Sequence, residues 1–120
     1  MSKQDWKPGN MLYPVPVIMV SCQKEGGKHK IIKAAGCVDT CSSAARLYVS
    51  IRPDRYSHHI IKETGEFVAN LVTEDLTFAT DYCGVKSGRD TDKFKDMKLT
   101  PLKSKKVRCP GIEESPVNLE

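Results

Sequence analysis

Apolar and polar positions along this chain follow a strand-like rhythm, interrupted by three short helical stretches. Val15–Cys22 is a β-branched apolar run that predicts a buried strand, with Pro16 pushing its start toward a sheet edge. Lys24-Glu25-Gly26-Gly27-Lys28 is a turn signal, and His29–Ala35 resumes as the partner strand of a hairpin. Residues 36–45 are small and polar and predict a loop that lets a ligand or another backbone come close. Arg46–Arg52 then alternates, with Leu47, Val49 and Ile51 on one side, until Pro53 stops the strand. Residues 1–14, broken by Pro8-Gly9 and Pro14, predict an irregular entry arm.

Ser57 is placed to cap a helix over His58–Thr64, and Gly65 suits its left-handed end. Glu66–Val72 alternates again as a strand. Thr73-Glu74-Asp75 opens a second helix with an apolar stripe of Leu76, Ala79, Tyr82 and Cys83, ended by Gly84. A third short helix is expected around Asp92–Met97 and a strand at Val107–Cys109. Val117 and Leu119 begin a further alternation that runs to Glu120. This order is not the βαβ repeat of a doubly wound sheet. It predicts a mainly β fold, a small barrel with peripheral helices, and a sheet edge to be completed by further strands or another chain.

A chain of 120 residues and 13.4 kDa suits one domain over 1–120. Size scaling gives it roughly 6,500 Å² of folded surface. The longest apolar run is far short of the ~20 residues of a membrane span. The N-terminal residues lack the apolar run of a secretory signal, so a soluble cytoplasmic protein is expected. The five cysteines are odd in number and irregularly spaced, which favours free thiols over a disulfide framework. Cys37 and Cys41 have no second pair or suitably spaced histidines, so no metal site is expected. The net charge of +4 is concentrated: nine basic and three acidic residues lie between Lys86 and Arg108. Such an excess can attract nucleic acid or a phosphorylated small molecule, but a solvated lysine-rich face is the plainer reading. Phe94 is the lone aromatic there, and base stacking needs more, so nucleic acid is not the expected partner.

The fingerprints of dinucleotide folds, P-loops, nucleophile elbows and zinc proteases are all missing. His58 and His59 are adjacent and point different ways, without a sequence partner for catalysis. No catalytic residue is assigned. The most suggestive constellation is Ser50–His58, where a strand ends in Arg52, a tight turn follows and a helix begins. A guanidinium fork beside a helix N-terminus is one way to hold a phosphate. A salt-bridged strand end beside an ordinary helix start fits the same residues equally well.

Larger blocks carry a resemblance. Leu12–Val17, Ser50–Ser57, Ile61–Val68, Asn70-Leu71, Asp81–Asp90, Asp92-Lys93-Phe94 and Glu114–Glu120 together resemble the flavin reductase-like, FMN-binding split-barrel family, in its flavoredoxin-type branch. Ser87-Gly88-Arg89-Asp90 with Asp92-Lys93-Phe94 is the most specific block. The resemblance implies a split β-barrel that binds FMN without a covalent link at a homodimer or higher-oligomer interface. It implies reduction by NAD(P)H or electron exchange with a redox partner protein, with the chemistry residing in the flavin. By resemblance, Lys33, Ala34, Ala35, Gly36, Cys37, Cys41 and Ser42 would line the flavin ring. Arg52, Arg55, Tyr56, Ser57 and Lys93 would handle its phosphate and ribityl chain. Lys33-Ala34-Ala35-Gly36 stands where the branch has Thr-Ala-Ala-Trp, and Ala44-Ala45 where it has two prolines. Relatives continue for several strands past Asn118-Leu119-Glu120, so the barrel is expected to be incomplete. The alternative function is a non-enzymatic relative that keeps the scaffold as a dimerising or partner-binding module.

Overall fold

The computed structural model describes residues 1–35 and 37–120, with Val38 described by its backbone; Gly36, predicted to lie in the flavin loop, falls outside the described residues. Strands β1 (Val17–Gln23) and β2 (His29–Ala35) form the expected hairpin, paired in register from Val17↔Ala35 to Gln23↔His29. Gly26 closes the turn at φ 66°, a conformation that glycine adopts without steric cost. β5 (Val68–Leu71) pairs with the other edge of β1, and β8 (Asn118–Leu119) with β5, giving the antiparallel order β2-β1-β5-β8. β1 is therefore central rather than marginal. Pro16 precedes its first paired residue, so the missing N–H costs the ladder nothing.

The segment 37–45 is more regular than its composition suggests. β3 (Val38–Cys41) and β4 (Arg46–Tyr48) make a second hairpin around a turn at 42–45, where Ala44 takes φ 59°. The alternation of Leu47, Val49 and Ile51 is real, since all three are half-buried, but ladder pairing ends at Tyr48. The Val107–Cys109 strand does not form. β6 (Pro101–Leu102) pairs instead with β7 (Gly111–Ile112). Asn70 accounts for this: its buried Oδ1 accepts the Ile112 N–H at 3.0 Å. Its Nδ2 lies 2.9 Å from the Met19 carbonyl, 3.0 Å from Ser21 Oγ and 3.1 Å from the Val68 carbonyl. Ser21 in turn donates to the Pro110 carbonyl at 2.6 Å. Two buried polar side chains thus tie the 110–112 segment to the sheet, because burial without these bonds would be costly.

Helix α1 (Tyr56–Thr64) starts two residues before the expected His58. Arg55 occupies the cap position with no side-chain bond, and Ser57 is buried inside the first turn. Gly65 ends it at φ 69°, its N–H donating to the Ile61 carbonyl. A 3₁₀ turn at Glu74–Leu76 leads into α2 (Thr77–Val85), and Thr73 makes no side-chain cap there either. Gly84 lies within α2 rather than at its end. The Lys33 side chain lies across it, in the space a Cβ would fill. α3 (Lys93–Asp96) is capped by the Asp92 carboxylate, which accepts the Lys95 N–H.

Two packed clusters share the sheet. Met19, Ile31, Leu76, Ala79, Cys83, Phe94, Leu99 and Ile112 form one beneath α2 and α3. Ile18, Val20, Ile32, Ala34, Cys37 and Ala69 form the other, flanked by half-buried residues of the β4 region and α1. The exposed surface is 8768 Å², well above the roughly 6,500 Å² of a compact chain of this mass. The Cα radius of gyration is 15.5 Å, against about 13.6 Å for a compact domain of this length. Residues 1–14 account for much of the excess, since all of them are exposed, Trp6, Met11, Leu12 and Tyr13 included. No helix among the described residues is long and apolar enough to cross a membrane.

Candidate functional site

The beginning of α1, the end of α2 and the loop that follows meet around a small cavity of about 100 Å³. Arg55, Tyr56 and Ser57 come from the first side, and Cys83, Gly84, Val85 and Lys86 from the second. Ser87, Gly88, Arg89 and Lys93 close the third. An α-helix leaves its first N–H groups without partners in the helix, and no side chain caps these. The site therefore combines the positive end of a helix with several cations.

Lys93 is the most constrained of these cations. It is 4% exposed, and its Nζ donates to the Ile31 and Cys83 carbonyls, both at 2.7 Å. Burial holds its ammonium below the ordinary lysine range, with the Arg55 and Lys30 charges acting in the same direction. Two of its three protons are spent on carbonyls, so a third is free to face the cavity. Lys30 donates from Nζ to the Gly88 carbonyl at 2.6 Å and lies 5.2 Å from the Tyr56 ring centre. That contact fixes the Ser87–Arg89 turn against β2. Burial likewise pushes the Cys22 thiol up, opposed by Ser57, Lys30 and Lys93, and it pushes Cys83 up to about 11. At neutral pH these thiols are uncharged, and the cations have no thiolate to neutralise them.

The residues expected to handle a phosphate do not all converge. Arg55, Tyr56, Ser57 and Lys93 line the cavity. Arg52 does not, because its guanidinium is exposed and paired with Asp54 Oδ2 at 2.5 Å. The ring-side set is dispersed. Lys33 reaches Asp81 at 3.2 Å on α2, Ala34 is buried, Ala35 is exposed, and Cys37 is buried with its thiol raised by burial and by Asp39. Cys41 and Ser42 face a separate, larger cavity of about 1130 Å³, between the β3–β4 hairpin and residues 105–107 and 118–120. Lys30, Lys86 and Arg89 are not among the residues expected from the sequence. The Ser87–Asp90 block was the available signal, since a Gly beside Ser and Arg marks a turn whose backbone approaches something closely. All five cysteines are free thiols, and only Cys41 is exposed.

Comparisons with known proteins show the family and the fold. The family model for the flavin reductase like domain matches residues 10–120. The chain belongs to that family. A protein of Archaeoglobus fulgidus with no described role is 36% identical over 109 residues, covering 91% of this chain and 60% of the relative. The flavoredoxin of Desulfovibrio vulgaris superposes with a TM-score of 0.85 at 28% identity, covering 94% of this chain and 62% of that one. A flavoredoxin from Methanosarcina acetivorans shares the fold, with a TM-score of 0.80 at 24% identity over 97% and 62% of the two chains. The fold is thus the mainly β architecture of the flavin reductase-like split barrels, of flavoredoxin type. This chain spans about 60% of the length of the curated relatives it matches.

Proposed function

We propose that this chain is the FMN-binding part of a flavin reductase-like oxidoreductase, with the FMN phosphate held between the start of α1 and Lys93. The cluster of Arg55, Lys86, Arg89 and Lys93 around an uncapped helix start carries the reading. A cavity of about 100 Å³ suits a phosphate group, not a three-ring flavin, since whole-ligand pockets span roughly 300–1,000 Å³. The donor set also fits: fixed cations and backbone N–H groups suit a dianion, and nothing on the cavity wall is an acid except Asp54, which Arg52 occupies. The ring would lie beyond this cavity, beside the Lys33–Ala35 end of β2, with a second copy in a homodimer or further strands supplying its other side. Bound flavin supplies the redox chemistry, fed by NAD(P)H or a protein donor. Arg55 and the Tyr56 and Ser57 N–H groups bind the phosphate, Lys93 orients the 83–93 turn, and no residue need move a proton.

The test is fluorescence titration with FMN and riboflavin, which differ only in the phosphate. Arg55→Ala weakens FMN by about 1.5–3 kcal/mol, the range for a charged hydrogen bond, and leaves riboflavin unchanged. Arg52→Ala has a smaller effect, because that guanidinium is engaged by Asp54. Equal losses for both ligands, or a larger loss at Arg52, overturn the phosphate assignment. A protein that ignores FMN altogether returns the function to a non-enzymatic scaffold.

A further inference from the structure

The cationic stretch Lys86–Arg108 is not used up by the phosphate site. Lys95 and Lys98 face away from it, across α3, into a different cavity of about 570 Å³ lined also by Lys28, His29, Asp92, Phe94, Leu99 and Pro101. α3 separates the two, for Lys93 serves the first and the next residue, Phe94, the second. Three observations set this cavity apart. Its walls are mainly carbon, from Phe94, Leu99 and Pro101, while Lys28, Lys95 and Lys98 are exposed at its rim. None of the ion pairs among the described residues involves those lysines. The one carboxylate present, Asp92, already accepts the Lys95 N–H as the cap of α3.

The second observation is His29. Its ring packs edge-on against Phe94 at 5.7 Å, and its Nδ1 is the one buried side-chain nitrogen or oxygen among the described residues without a hydrogen-bond partner. Buried polar atoms are nearly always paired, and this one is enclosed, so the ring is held by its packing on Phe94 and presents carbon to the cavity. The third is Lys98, which adopts φ 53° just after α3, while the Leu99 N–H returns to the Phe94 carbonyl at 2.8 Å. Helices terminated in this way favour glycine at the left-handed position. A lysine there keeps a cation at the cavity mouth against its own backbone preference.

We propose that this cavity binds a small aromatic carboxylate, its ring on Phe94, Leu99, Pro101 and the edge of His29 and its charge held by Lys28, Lys95 and Lys98. The proposal is independent of the flavin reading, because the two cavities have no lining residue in common. Benzoate is the probe, added to the full chain and followed by NMR at the His29 imidazole, Phe94 and Leu99. Those signals saturate together with a Kd of about 1 mM, as expected for a ligand of this size. Acetate, which lacks the ring, and benzyl alcohol, which lacks the charge, bind at least about tenfold more weakly.

Lys98→Gly separates ligand binding from folding. It removes the cation and the backbone strain together, so the melting temperature rises while benzoate weakens at least about fivefold. Lys28→Gln weakens benzoate without touching the strained position, and Arg55→Ala leaves benzoate binding unchanged. Scattered, non-saturating shifts, equal binding of the three probes, or undiminished affinity in Lys98→Gly would each overturn the proposal.

Discussion

The two faces of the β2-β1-β5 sheet are covered in different ways. Met19 and Ile31 lie beneath α2, α3 and the 110–112 segment, in a cluster whose eight central members are all buried. Ile18, Val20, Ile32 and Ala34, on the opposite face, are roofed by Leu47, Val49, Ile51, Ile61, Phe67 and Leu71, each of them only half-buried. The same hairpin thus has one face closed by its own chain and one thinly covered. The closed face holds Lys93 and Cys83, and so fixes the cation-lined cavity by packing. The open face carries the β3–β4 hairpin and most of the residues expected beside a flavin ring. In the flavin site proposed above, the phosphate end would be preorganised and the ring end would depend on what covers the sheet.

Paired truncations test that asymmetry most strongly. Ile31→Ala removes a fully buried side chain from the closed face and is expected to cost about 2–5 kcal/mol. Leu47→Ala on the open face removes a half-exposed one and should cost only about 1 kcal/mol, since the area withdrawn from water is smaller. Urea unfolding of the two variants gives both values. Comparable losses would mean that the second face is as closed as the first.

Alkaline pH probes the buried thiols, Cys83 on the closed face and Cys22 on the face of Val20. Burial pushes the Cys83 and Cys109 thiols up to about 11, from an ordinary value of 9.0, and raises Cys22 as well. The folded state therefore keeps protons that the unfolded chain releases. This contribution is complete below pH 9.0 and is lost as pH climbs toward about 11. Lys93 works in the opposite sense: its lowered folded value makes its burial less unfavourable over the same rise. Three thiols are raised against one lowered ammonium, and a net loss of stability with rising pH is expected, partly offset by Lys93. Cys83→Ala should flatten the fall in urea midpoint with pH, whereas Cys41→Ala, exposed on the other hairpin, should leave it unchanged.

What could be read from the chain divides along the same line. The β1–β2 hairpin was legible because alternation and the Gly26-Gly27 turn agree, and so was the end of α1 at Gly65. Local signals misled where a distant partner decides the outcome. Ser57 looks like a cap, yet the helix begins earlier and Ser57 is buried beside Cys22. Val107–Cys109 looks like a strand, yet Asn70, 42 residues away from Ile112, draws the pairing to Gly111–Ile112. Lys93 reads as one more charge in a basic run, and nothing adjacent to it announces the two carbonyls that hold it. Of the site, the resemblance supplied Arg55, Tyr56, Ser57 and Lys93. The engagement of Arg52 by Asp54 depends on side-chain geometry that spacing cannot convey.

The smallest expected effect lies where the two faces meet, at Gly84. A Cβ there would come within 2.2 Å of Lys33 Cε and 2.9 Å of its Nζ, with no backbone atom among the near neighbours. Only the far end of a flexible side chain must yield. Alanine in a helix interior is favoured over glycine by up to about 1 kcal/mol, less at Gly84 because α2 ends one residue later. Against this stands the displacement of Lys33 from Asp81, a pair with side chains 33% and 71% exposed. Surface pairs of this kind contribute about 0–1 kcal/mol, and the lower half of that range suits such exposure. Gly84→Ala is therefore expected to be neutral to slightly stabilising, by a few tenths of a kcal/mol, which raises the melting temperature by about 1–3 °C. A clear fall would mean that Lys33 cannot swing aside. The pair would then hold β2 to α2 more firmly than an exposed contact does, and the boundary between the closed and open faces would lie further toward residue 33.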